Sequence, residues 1–173
     1  MTQESDNREQ AKQYIRHQAA KGLADLAALM ERTGADCTRC LDDVDEEQAT
    51  FSHDQEWSIK EVLGHMLTSG AGVNREIGNL VEDRPSTREG RMGVVRGADR
   101  PIEELRQALS GLWAETGRLA AALPEDGSTE RTFEHPFFGP LNFREWIAFQ
   151  RIHAMDHIQQ IEKVKAHPGY PRA

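Results

Sequence analysis

The sequence predicts an all-α fold: a four-helix bundle with long connections between its helices. Three observations predict it. Four segments carry apolar residues at three- and four-residue spacing, the seam of an amphipathic helix. Two of those segments open on a capping box, a side-chain pair that satisfies the free amides of a helix start. No stretch keeps a period-two alternation for long, so strands have no strong claim on the chain. Four apolar stripes are best buried against one another.

The first helix is expected from Asp6 to Leu41. Leu23, Leu26, Met30, Gly34, Cys37, Leu41 and Val44 form its seam. Gly34 weakens it by about 1 kcal/mol relative to alanine, and lets a neighbouring helix approach closely. "DDVDEEQATFSHDQEW" reads as a polar connection. The second helix is expected over Ser58–Val81, with Ser58 and Glu61 as its capping box and Ile59, Val62, Met66, Val73, Ile77 and Leu80 as its stripe. The stretch 82–99 has no clean period and reads as a long loop, a class that is often functional. Pro101 suits the start of a third helix, which Ile102, Leu105, Leu109, Leu112 and Leu119 carry to about Ala122. "PEDGSTERTFEHPFFGPLNF" is a second long connection, made sticky by Phe133, Phe137 and Phe138. Asn142 and Glu145 cap a fourth helix from Phe143 to about Lys165, and "HPGYPRA" reads as a frayed tail.

The chain has 173 residues. That predicts one domain, residues 1–173, able to bury a core without disulfides or structural metal. Hydrophobic residues make up 38% and charged residues 29%, as expected of helices with solvated outer faces. A net charge of −8 argues against nucleic acid as a partner. No apolar run approaches the roughly 20 residues that span a bilayer, so no membrane role is expected. The polar start "MTQESDNREQ" lacks the apolar core of a signal peptide, and the expected location is cytoplasmic.

"RIHAMDHIQQIE" holds the most informative pattern. His153 and His157 are one turn apart, about 40° around the helix, on the side that carries Trp146, Phe143, Ile161 and Val164. Histidines at i and i+4 present overlapping lone pairs and are a common grip on a divalent cation. Two ligands do not make a tight site. Of His17, His53, His65, His135 and His167, only His65 lies inside a helix beside an apolar stripe, with small residues at 69 and 72 to leave room. It is the expected third ligand. Spacing alone leaves two readings open, a metal site and a set of hydrogen-bonded core histidines. Glu61 and Asp156 are candidate partners for the outer imidazole nitrogens, with ordinary surface acids as the alternative. His135 is expected to cap the "HPFFG" turn, with a place at the pocket mouth as the alternative, and Trp57 and Trp146 to pack in the core.

Other signals carry less. "CTRC" has neither a second pair for zinc nor a βαβ context for redox chemistry. "TSGAG" lacks the ending of a phosphate loop, and there is no G-x-S-x-G elbow. Arginines in the 84–100 loop are candidates to attract an anionic thiol, or simply keep the loop soluble.

"EWSIKEVLGHM" followed by "HPFFGPLNFREWIAFQRIHAMDHIQQIE" resembles the DinB-like superfamily, particularly its YfiT-like branch. The shared features are a Trp-Ser helix start, a His seven residues beyond that Ser, a Pro-Phe-Phe-Gly turn and an H-x-x-x-H-x-x-Q helix. They run in the same order from about Leu23 to Ile161. The resemblance implies an up-down-down-up four-helix bundle and a divalent metal, zinc or nickel, on His65, His153 and His157. It implies a thiol S-transferase that joins bacillithiol, mycothiol or glutathione to a small-molecule electrophile, or an isomerase that uses such a thiol; activation of water by the same cation would give a related hydrolase instead. It also implies a homodimer. Gln160, in the same column as the two histidines, is the expected catalytic side chain, steering substrate or orienting a ligand. The alternative function is a non-catalytic metal-binding or dimerising bundle acting in a stress response.

Overall fold

In a computed structural model, which describes residues 3–88 and 94–172, the chain is mainly helical. The elements are α1 (Gln3–Ala19), α2 (Leu23–Arg39), α3 (Glu46–Thr50), α4 (Ile59–Val81), α5 (Ile102–Ala122), β1 (Phe133–His135), β2 (Gly139–Leu141) and α6 (Phe143–Lys165). Part of the predicted 82–99 loop, residues 89–93, lies outside the described residues.

The single first helix expected over 6–41 is two. The break falls at Ala20–Gly22, where Gly22 turns to extended backbone (ψ 158°). Gly22 has no side chain to cap α2, so Glu125, from the loop after α5, accepts the Leu23 amide at 3.0 Å. A distant carboxylate thus supplies the helix start that local sequence lacks.

The other long helices begin and end close to where patterning and capping put them. Ser58 and Asn142 form reciprocal capping boxes with Glu61 and Glu145. Two elements were not foreseen. α3 grows from a third box, Asp45 with Gln48, inside the supposed polar connection. Its Glu46 accepts from Lys60 at 2.7 Å and from the Ile102 amide at 2.8 Å, tying the starts of α4 and α5 together. The second surprise is an antiparallel hairpin that pairs Phe133 with Leu141 and His135 with Gly139. Three-residue strands are too short to show a period.

α2 packs on α5 and α6, and α4 packs on the same two helices. Glycines set two of these approaches. A Cβ on Gly34 would stand 2.7 Å from Trp113 Cβ, and one on Gly70 would stand 2.6 Å from a Leu112 methyl. The core these helices enclose includes Leu26, Met30, Ile59, Leu63, Leu105, Leu109, Phe143 and Trp146. Each such side chain contributes about 1.5–3 kcal/mol by leaving water. A buried polar knot crosses it. Asn74 accepts from Gln150 at 2.8 Å and donates to Thr116 at 3.0 Å, so α4, α5 and α6 share one network. Satisfied networks of this kind hold one packing register. Among the described residues, no helix is long and apolar enough to cross a membrane.

The tail is not frayed. Tyr170 packs edge-on against Phe51, and Gln48 donates to the Pro171 carbonyl at 3.1 Å.

Candidate metal centre

α4 and α6 bring His65, His153 and His157 together. His153 Nε2 stands 3.2 Å from His65 Nε2 and 3.1 Å from His157 Nε2. Ser69 Oγ lies 3.4 Å from the same nitrogen.

The far sides of two rings explain which way their lone pairs point. His65 Nδ1 lies 3.1 Å from the Val94 carbonyl, and His157 Nδ1 lies 3.0 Å from Gln160 Oε1. Those oxygens only accept, so each Nδ1 carries the proton and donates it. Both Nε2 atoms are then bare lone pairs aimed at His153. His153 Nε2 can give its one proton to only one of them. At least one pair of nitrogens therefore faces lone pair to lone pair, which is unfavourable unless a cation sits between them. Two nitrogens at about 2.0–2.1 Å from a tetrahedral zinc would stand about 3.3–3.4 Å apart, close to the spacing here. The donor set fits a divalent metal.

Burial keeps the donors available. It pushes the His153 pKa down to about 3, aided by the fields of His157 and His65. His65 is lowered for the same main reason. A metal ligand must be deprotonated, and these two are neutral at ordinary pH. Aromatic rings pack around the cluster, with Trp57 5.2 Å from His65 and Phe149 5.6 Å from His153.

Neither candidate acid reaches an outer imidazole nitrogen, and for Asp156 the alternative of an ordinary surface acid holds. Glu61 is occupied with the α4 cap, accepting from the Ser58 amide at 2.8 Å, and Asp156 is exposed. The Val94 carbonyl, and not Glu61, meets the outer nitrogen of His65. No side-chain pattern signals a main-chain acceptor. Gln160, predicted as a substrate-steering or ligand-orienting side chain, lies against His157. His135 caps its turn, its Nδ1 accepting from the Phe137 and Phe138 amides at 3.2 and 3.3 Å. Cys37 and Cys40 are free and buried, and burial pushes their thiols up to about 12 and about 11. They stay protonated and unreactive at neutral pH.

Of the remaining histidines, His17 is exposed on α1. His53 and His167 meet each other, with Asp54 close enough to form a second group of donors. Their rings stack at 3.9 Å with 15° between planes.

A family model described as the DinB superfamily matches residues 29–161. The uncharacterized protein YuaE of Bacillus subtilis (strain 168) is 28% identical over 129 residues, 64% of this chain and 78% of that protein. The matched span contains α4, the hairpin and the histidine-bearing part of α6, and the chain belongs to the DinB superfamily.

Proposed function

We propose that the chain is a divalent-metal-dependent enzyme, with zinc or nickel held by His65, His153 and His157, and that it transfers a low-molecular-weight thiol to a small electrophile. The observation that carries this reading is the convergence of three Nε2 atoms with too few protons to share. Three neutral imidazoles leave a cation its full charge and open positions, as in catalytic sites. The bound metal supplies Lewis-acid charge that makes a thiol or a water more acidic.

The protein's own residues do the rest. Val94 and Gln160 hold the outer protons of His65 and His157, which fixes ring orientation and raises ligand basicity. Trp57 and Phe149 exclude water from the ring edges and strengthen every charge interaction inside. Ser69 offers a hydroxyl beside His153 that can hold a substrate atom. The family resemblance favours thiol transfer over hydrolysis. A four-helix bundle built from α2, α4, α5 and α6, and assembly as a homodimer, belong to the same reading.

The test is elemental analysis of the protein as isolated, beside His153→Ala, followed by thiol consumption with a generic aryl halide or epoxide. Stoichiometric metal lost in the variant, with thiol loss only in the wild type, is the expected result. Water as the only nucleophile would make the enzyme a hydrolase. Equal turnover by both proteins would end the enzymatic proposal.

A further inference from the structure

The metal-ligand cluster has a neighbouring set of donors that the reaction above does not use. Trp146 is fully buried, and its indole Nε1 has no hydrogen-bond partner among the described residues. A buried N–H of this kind is costly unless something accepts from it. Two groups pack on the same indole. The Arg88 guanidinium stands over it at 5.2 Å, and the His135 ring lies 5.3 Å away.

His135 has a determined protonation. Its Nδ1 accepts two backbone amides, so the neutral ring keeps its proton on Nε2. Burial, then the charge of Arg88, holds its pKa down to about 4, so it stays an uncharged N–H donor at neutral pH. The field of Arg88 also reaches His153. Phe149 bridges the two histidines, 4.5 Å from His135 and 5.6 Å from His153.

The turn leading into Arg88 is held in place by a buried carboxylate. Glu76, 2% exposed on α4, accepts from the Thr87 amide at 2.9 Å and from the hydroxyls of Ser86 and Thr87. The residues just before Arg88 are therefore anchored. Among the described residues, Arg88 makes a hydrogen bond only through its backbone amide, to Ser86, and its guanidinium forms no ion pair.

We propose that Arg88, His135 and Trp146 form a binding pole for the carboxylate of a small-molecule substrate whose reacting end lies at the His65–His153–His157 cluster. The position of the reacting end rests on the metal-enzyme reading above; the carboxylate pole does not. The pole has a guanidinium, an imidazole N–H and an indole N–H, and the nearby Glu76 carboxylate, already held by Ser86 and Thr87, acts on the guanidinium, so its surplus positive charge is at most one. That matches a carboxylate in charge and in the two-pronged geometry of a guanidinium. A phosphate dianion would leave at least one negative charge uncompensated beside a buried indole, with the Glu76 carboxylate adding to the repulsion.

The experiment titrates 3-mercaptopropionate, the neutral 3-mercapto-1-propanol and orthophosphate into the protein by calorimetry. It uses both chelator-stripped and nickel-loaded protein. The carboxylate should bind about tenfold more tightly than the alcohol in both forms. Arg88→Gln should bring that ratio to about one while leaving nickel stoichiometry and Tm unchanged, and Arg88→Lys should keep part of it. An equal preference in the wild type, an unchanged ratio in Arg88→Gln, or tighter binding of orthophosphate would overturn the pole. A ratio that holds in a protein taking no metal upholds the pole and sinks the metal-enzyme reading instead.

Discussion

Two clusters of histidines lie among the described residues, and they differ in how their ring nitrogens are engaged. In the first, acceptors at Val94 and Gln160 take the outer protons of His65 and His157, and bare Nε2 atoms converge on His153. In the second, His53 and His167 stack face to face, so their in-plane lone pairs run side by side instead of meeting. His167 Nδ1 accepts the Gly169 amide at 3.1 Å, which leaves the proton on its remaining nitrogen. Neither buried nitrogen of His53 has a hydrogen-bond partner among the described residues, and Asp54 reaches it only at 3.5 Å from an exposed position. Both clusters gather three candidate donor groups. What differs is who holds the other proton.

The strongest way to break this comparison is ligand deletion. His153→Ala should weaken nickel or zinc binding by well over the roughly 100-fold that losing an outer partner costs, whereas His53→Ala and His167→Ala should leave stoichiometry intact. Metal analysis of the three purified variants checks it. Comparable loss in all three would erase the distinction. Next comes the outer contact itself. Gln160→Leu should lower metal affinity about 10–100-fold, and Gln160→Glu should restore most of it, read by competition with a chromogenic chelator.

A third test uses acid. His135 has its folded pKa lowered from 6.5 to about 4, so between those values the unfolded chain binds more protons than the folded one. The stability it contributes is full above about pH 6.5 and is lost as pH falls towards 4, on the order of 3 kcal/mol. His153, lowered to about 3, extends the loss further down. Denaturant titrations of metal-free protein should show this slope, and His135→Asn should flatten the part between pH 6.5 and 4. The smallest effect belongs to the second cluster. His53→Phe removes two buried nitrogens without partners and keeps a ring for the stack. It should raise stability by about 1 kcal/mol, a Tm gain of about 2–4 °C by calorimetry.

Side-chain signals were legible in the sequence where they are local. The i, i+4 histidines, the Ser58–Glu61 and Asn142–Glu145 boxes and the ends of α4, α5 and α6 all lie within a few residues of their own cause. Legibility failed where the cause is distant. The break before α2 depends on Glu125, more than a hundred residues away. The hairpin is too brief to show a period, and Asp45–Gln48 was hidden in a run of acids. Glu76 reads as one more acid in the His65 column until the loop at 86–87 folds over it. Gly34 was read correctly as a site of close approach because a helix seam has only one use for a missing Cβ.

The partner of His65 is a peptide oxygen, and that has a consequence for mutational scanning. Alanine at position 94 would retain the same carbonyl, so a scan would score Val94 as dispensable while the contact goes on working. The side chain at position 94 can vary without removing that oxygen. A change that moves the backbone at Val94, such as an insertion or deletion beside it, would expose the dependence.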